Sequence, residues 1–456
     1  MKKIVDRLKN SKMVKWPMEK WFLLVAGVLG VAFILILPVG QSPDDIMHFR
    51  RAYGITEGVL VPSVINENGG VGSAVPADTE EVLEGSPESG HYIEVVEELG
   101  SGTTEKTDQA YNNTALYNFV CYIPQSLAIM IGKVFGMSTA GLAYMARIFN
   151  FVLWMVLIYF AIKLIPKFKK IVLFIALLPI TLQEATSLAP DALAIGLGIF
   201  MFSYVLYLVY GREKILGKKE LALLYIMAIV MGFCKIVYLP LVLLYLVIPQ
   251  ERFGSKKKKW IHLAIIGGVT AALNLAWLMV SSGFLVEFNP GVDSKEQLVW
   301  ILSHPFGYLK VIVRTIMTNA ELWMSNMLGM HLGPFAFNLP SVIFIISLAM
   351  FAVLFIQRDE TLNIKKFDRW VFIAVFCIIT LLIFTSLYIQ WTAVSAPIID
   401  GVQGRYFLPI LLLVPVMFCK KPTKRPRTTL VSEKMVLSYS VLVNIIALIT
   451  IFIQNK

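Results

Sequence analysis

Apolar residues recur along this chain in blocks of about 20, separated by short basic or polar stretches. That is the length at which an α-helix crosses ~30 Å of hydrocarbon. The first block, 21–37, runs into Pro38-Val39-Gly40 with no small-x-small site after it, so the pattern predicts an uncleaved signal anchor. Blocks at 141–163, 171–188, 191–210, 221–234, 236–249, 260–281, 339–356, 370–389, 405–419 and 436–454 bring the predicted spans to about eleven. The expected fold is an all-α polytopic membrane protein, one integral membrane domain over 1–456.

Two places depart from the simple pattern. The limbs 221–234 and 236–249 have about 14 residues each, or ~21 Å at 1.5 Å per residue, which predicts a short or re-entrant hairpin with Cys234-Lys235-Ile236-Val237-Tyr238 at its tip. Lys235 then lies below the outer surface, which is tolerated where it faces protein or a water-filled cavity. The apolar block 116–135 carries Pro124, Gln125 and Lys133 and predicts a helix lying in the interface. It belongs to a first extracytoplasmic loop, 40–140, whose Gly/Ser/Thr-rich stretches at 66–76 and 85–90 read as mobile loop. A second outer segment, 282–338, carries Trp300, Phe306, Tyr308, Trp323, Phe335 and Phe337 and predicts further interfacial helices.

Composition fits a membrane protein, since 57% of the 456 residues are hydrophobic and 16% charged, more apolar surface than one soluble core hides. The net charge of +11 does not point to nucleic acid. Thirty of the 41 Lys and Arg fall in six clusters, 1–20, 163–170, 211–220, 250–259, 357–369 and 420–434, which alternating spans place on one side. By the positive-inside rule that side is cytoplasmic, giving N-terminus in, C-terminus out, in a bacterial plasma membrane. Residues 40–115 hold fourteen Asp and Glu on the opposite side. The four cysteines show no metal-type spacing, and no Walker A, dinucleotide fingerprint or hydrolase elbow appears in usable context. Cytoplasmic loops of about 8–15 residues are too short for a nucleotide-binding domain, so any substrate is reached from the outer leaflet.

Three groups carry candidate chemistry. Ser42-Pro43-Asp44-Asp45 follows the first span, where adjacent carboxylates suit a general base for an acceptor hydroxyl. The competing reading is a capping box from Ser42 to Asp45, which spacing alone favours. Asp44 and His48 at i and i+4, with Asp45 nearby, also offer a weak divalent-cation pattern, so a metal cofactor is possible but not required. Gly401-Val402-Gln403-Gly404-Arg405-Tyr406 has two glycines that permit close backbone approach to a ligand and a forked cation suited to phosphate. A snorkelling arginine paired with Asp400 fits the same residues equally well. In the third group, Glu184 and Arg147 sit at costly depth, lining a cavity or pairing with one another, while Asp191 after Pro190 reads as a helix-terminal carboxylate.

Pro43-Asp44-Asp45-Ile46-Met47-His48-Phe49-Arg50-Arg51-Ala52, Ser187-Leu188-Ala189-Pro190-Asp191-Ala192-Leu193, Lys235-Ile236-Val237-Tyr238-Leu239-Pro240 and Gly401-Val402-Gln403-Gly404-Arg405-Tyr406-Phe407-Leu408-Pro409 resemble domain of unknown function 2142. More distantly the layout resembles the GT-C glycosyltransferases, whose first outer loop carries an acidic pair after the first span and juxtamembrane helices before the second. That resemblance implies inverting transfer of a sugar from a polyprenyl-phosphate carrier to a cell-envelope glycan or lipid hydroxyl on the extracytoplasmic face. Asp44 then stands as base and Asp45 at the position usually held by glutamate, with the choice between the two open. Arg405, Lys235 and Arg147 are assigned from location and charge to the carrier phosphate, and His48, Glu184, Asp191, Gln403 and Tyr406 to cavity or acceptor contacts. The rival from another class is a transporter or flippase of lipid-linked saccharides, which expects internal repeats related across the bilayer, and none is visible. A non-catalytic assembly factor is the third reading.

Overall fold

The structure, a computed structural model, describes residues 16–67, 69–84, 105–284, 289–357, 362–419 and 429–454. The first helix, α1 (Met18–Ile36), is followed at once by α2 (Asp45–Thr56). Strands β1 (Ser63–Val64), β2 (Val71–Pro76) and β3 (Lys106–Ala110) come next, then α3 (Ile123–Val134) and α4 (Thr139–Leu164). The middle of the chain forms α5 (Lys169–Ala176), α6 (Pro179–Ala185), α7 (Asp191–Leu206) and α8 (Lys218–Cys234), then a 3-10 helix Ile236–Val247. The rest comprises α9 (Lys256–Ser281), α10 (Pro305–Met327), α11 (Ser341–Ile356), α12 (Lys366–Gln390), a 3-10 helix Gly404–Ile410 and α13 (Glu433–Gln454).

Among the described residues six helical segments are long and apolar enough to cross a membrane: Met18–Ile36, Thr139–Leu164, Asp191–Gly211, Lys256–Phe284, Lys366–Gln390 and Glu433–Gln454. The other five predicted blocks form shorter or broken elements, and proline explains two of them. The block 171–188 splits into α5 and α6 because Pro179 has no N–H to continue the helix. The block 405–419 becomes a 3-10 helix containing Pro409, then a short helix Leu413–Met417 containing Pro415. The hairpin forms as the pattern predicts: Tyr245 Oη donates to Leu224 O at 2.9 Å, about ten residues either side of Lys235, and Leu216 N–H meets Arg252 O at 2.7 Å beyond both limbs.

The most enclosed span is Asp191–Gly211, 89% buried, against 17% for the peripheral Lys256–Phe284. It packs on α4, α8 and the Gly404–Ile410 helix. Gly198 permits that last contact, since a Cβ there would lie 2.7 Å from Pro409 O. Apolar side chains elsewhere point outward: α3 exposes Ile123, Leu127, Met130 and Val134 while burying Gln125, Ser126 and Gly132. At 12 residues α3 is too short to span, and its outward apolar stripe suits lipid contact in the interface. In the first loop the sequence reading needs correcting. Residues 71–76, expected to be mobile, form the central strand of an antiparallel β1-β2-β3 sheet with Gly72 opposite Ala110 and Ser73 opposite Gln109. Asn112 Oδ1 accepts Val71 N–H at 2.6 Å, and Gly72 lies so close to β3 that a Cβ would clash with Gln109 O. The glycine that suggested mobility is what lets the strands approach. The stretch 85–90 lies outside the described residues.

Candidate functional site

The frame of the site is the non-helical linker 186–190 between α6 and α7, which is buried along its whole length. Backbone polar groups at that depth need protein partners. Arg147 Nε donates to Thr186 O at 2.6 Å, and Asn150 Nδ2 donates to Ser187 O and Ala189 O, each at 2.9 Å. Gln125 Nε2 donates to Leu188 O at 3.1 Å, and Asp45 Oδ1 accepts Leu188 N–H at 2.7 Å. Four side chains from three helices thus hold the break that brings Glu184, at the end of α6, beside Asp191, at the start of α7.

Two cations from distant parts of the chain meet these carboxylates. Arg405 Nη1 donates to both oxygens of Glu184, at 3.1 and 3.2 Å, and lies 3.9 Å from Asp191 Oδ2. Lys235 Nζ reaches Asp191 Oδ1 at 2.5 Å. Tyr406 lies under both cations, 5.0 Å from Lys235 Nζ and 5.5 Å from Arg405 Cζ, and Tyr117 flanks Lys235 at 5.8 Å. Side-chain exposure rises in order from Glu184 (0%) through Arg405 (6%) and Asp191 (10%) to Lys235 (16%), so the cluster opens at the hairpin tip. Two negative and two positive charges balance.

Local sequence explains why Arg405 points inward. Gly404 packs against the backbone of α10, where a Cβ would sit 2.1 Å from Trp323 O and 2.6 Å from Met327 N. Arg405 N–H bonds to Asn326 Oδ1 at 3.2 Å, and Tyr238 Oη donates to Tyr406 O at 2.8 Å. The closeness that Gly404 permits is therefore to a helix, not to a ligand. Gly401 serves a turn, at φ +77°. Gln403 stands half-buried at the start of this 3-10 helix. The alternatives of a snorkelling Arg405 paired with Asp400, and of Glu184 paired with Arg147, give way to the Arg405–Glu184 pair.

The acidic pair divides into two environments. Asp44 is exposed, in the left-handed region at φ 61°, and its Oδ1 accepts from Asn113 Nδ2 at 2.7 Å. Asp45 is buried on the linker, and burial pushes its carboxyl up to about 6 against the opposing pull of Arg147 and two backbone N–H groups. No capping box forms: Asp44 makes no side-chain cap, and Ser42 Oγ is buried with no hydrogen-bond partner among the described residues. One turn on, His48 is buried with Nδ1 2.7 Å from Tyr122 Oη and its ring edge-on to Tyr117. Burial pushes His48 down to about 4, and Asp44, Asp191, Lys235 and Arg405 all act on it electrostatically. Tyr117, which His48 meets edge-on, also flanks Lys235 at 5.8 Å, so the first turn of α2 reaches the cluster through that ring. Among the described residues no group of three His, Cys, Asp or Glu converges as a metal site; Asp45 turns away to Leu188.

The structure brings together Glu184, Asp191, Lys235, Arg405 and Tyr406, with His48 reaching them through Tyr117 and Asp44 one turn before His48. It engages Arg147, fully buried, with Thr186 O, Leu37 O and Ile34 O. Sequence reasoning missed Asn113, Tyr117, Tyr122 and Asn326. Each reaches the site from another segment, and nothing in its local pattern marks it.

A mostly helical chain with six membrane-length helices among the described residues and a buried, charge-balanced cluster is a multi-pass membrane protein. Residues 28–414 match the family described as Predicted membrane protein (DUF2142), and the chain belongs to that family. No curated protein and no solved structure matches it.

Proposed function

We propose that this protein is an outer-face membrane glycosyltransferase that takes a sugar from a polyprenyl-phosphate carrier and passes it to an envelope glycan or lipid hydroxyl. The observation that carries the reading is that exposed Asp44 opens the helix whose His48 packs edge-on against Tyr117, the ring that flanks Lys235 at 5.8 Å beside the Arg405–Glu184 pair. Separating a base from a phosphate-binding cation pair is what a displacement at an anomeric carbon requires. Asp44 accepts the acceptor proton, the hydroxyl oxygen attacks the anomeric carbon, and the carbon–oxygen bond to the phosphate breaks with inversion. Arg405 and Lys235 take the departing negative charge. Asp45 and Arg147 hold the linker that positions Glu184 and Asp191, and Asn113 orients the base. In this reading the six basic clusters face the cytoplasm, and α2, α3 and the sheet face outward.

The test is the sugar composition of the envelope polymers in a deletion strain complemented with wild type or Asp44→Asn at matched expression. One substituent is expected to vanish on deletion and to return with wild type alone. Full restoration by Asp44→Asn overturns the assignment of the base.

A further inference from the structure

The charge balance of the cluster sets a condition on any anion that enters it. Glu184 and Asp191 supply two negative charges, Arg405 and Lys235 two positive, and each carboxylate already has a cation. A phosphodiester drawn to Arg405 must take the guanidinium away from Glu184. The two carboxylates are then left unequal. Asp191 keeps Lys235 at 2.5 Å and is partly open to solvent, at 10%. Glu184 has no exposed side-chain surface and among the described residues keeps only Gln183 Nε2, at 3.4 Å, whose amide is itself fixed by Gly333 N–H on Gln183 Oε1 at 2.6 Å. A buried carboxylate stripped of its cation is strongly unfavourable, and a proton taken onto it neutralises the stranded charge. Arg405 also has a donor to spare, since its buried Nε has no hydrogen-bond partner among the described residues.

The other charges around Glu184 do not replace Arg405. Lys235 is held by Asp191. Arg147, from α4, donates to Thr186 O, Leu37 O and Ile34 O, while Asp45, from α2, accepts Leu188 N–H. His48 bonds Tyr122, and His331, beside α6, bonds Asn338 Oδ1 at 2.7 Å. Helices α1, α5 and α13, which also pack on α6, carry charges in their first turns at Glu19, Lys20, Lys169, Lys170, Glu433 and Lys434.

We infer that a lipid phosphodiester binding at Arg405 displaces Glu184 and is accompanied by uptake of one proton from water onto the Glu184 carboxylate. The inference rests on the function proposed above, and it makes the cluster a proton-coupled exchange site.

The full chain in lipid nanodiscs is titrated calorimetrically with farnesyl methyl phosphate, which carries one charge across the working pH range, and with dimethyl phosphate as the free headgroup. Repeating the titration in buffers of different ionisation enthalpy gives the protons taken up per ligand. At pH 8 wild type is expected to take up about one proton, with affinity falling about tenfold for each further unit that pH rises. Glu184→Gln is expected to take up none, to show a flat pH profile and to bind at least about tenfold more tightly at pH 8. Zero uptake by wild type, uptake that persists in Glu184→Gln, or uptake lost only in Asp191→Asn each overturns the inference while the proposed function stands. Failure of wild type to bind either ester overturns the proposed donor site itself. Equal binding of the two esters overturns the lipid assignment, and binding of the farnesyl ester alone supports it.

Discussion

Arg405 and Glu184 hold each other at 3.1 and 3.2 Å, with Glu184 cut off from solvent. Removing one partner of a buried pair strands the other charge, so Arg405→Met and Glu184→Leu singly should each cost about 3–5 kcal/mol, while the double variant should recover most of the loss. Melting temperatures of the four proteins in one detergent check this, and additive losses contradict it. His48 and Asp45 give the protein two opposed acid responses. His48 falls from 6.5 to about 4 on folding, so its contribution is full above pH 6.5 and is lost as pH drops through about 4, on the order of 3 kcal/mol. Asp45 rises from 3.8 to about 6, so its contribution is full below 3.8 and is lost as pH rises through about 6. Replacing His48 with Gln is therefore expected to remove the acid loss between pH 6.5 and 4 and leave the opposite Asp45 response, so that the variant's melting temperature rises relative to wild type as pH falls, measured at each pH. A steeper acid loss in the variant contradicts the buried, neutral histidine.

At the scale of elements, glycine position decides whether the site can assemble. A methyl group at Gly404 meets Trp323 O at 2.1 Å, whereas at Gly267, in the lipid-facing α9, it meets nothing within 4 Å. Gly404→Ala should thus lower the melting temperature sharply and Gly267→Ala leave it unchanged or slightly raised. Equal effects exclude the tight contact with α10. The same scale shows what was legible in the sequence and what was not. Long apolar blocks announce helices such as α1, α4 and α12 because the bilayer fixes their length. The hairpin was legible from two short limbs around Lys235. The split of 171–188 was marked by Pro179, a local cue that block length alone overrides. The β-sheet was hidden because Gly72 and Ser73 reveal their role only when β3 lies beside them. In the site, Glu184, Lys235 and Arg405 were visible as ionisable residues in apolar surroundings. How they and Asp191 pair was not, because sequence separations of 44 residues for Lys235–Asp191 and 221 for Arg405–Glu184 leave no local trace.

At the scale of the molecule, the proposed orientation puts the outer loop and the basic clusters on opposite faces of the membrane. With native cysteines replaced, Ser63→Cys, at an exposed position, should label with an impermeant maleimide in intact cells, and the equally exposed Ser255→Cys only after permeabilisation. The reverse pattern inverts the topology. Transfer from a lipid carrier on the outer face is read from the lipid-linked sugar content of membranes from the deletion strain. Mass spectrometry of extracted lipids, before and after impermeant periodate is applied to intact cells, locates the carrier by leaflet. A polyprenyl-phosphate sugar should accumulate in the periodate-accessible outer leaflet, both on deletion and with Asp44→Asn, and disappear with wild type. Accumulation confined to the inner leaflet identifies a flippase instead, and no accumulation contradicts a polyprenyl-phosphate donor altogether.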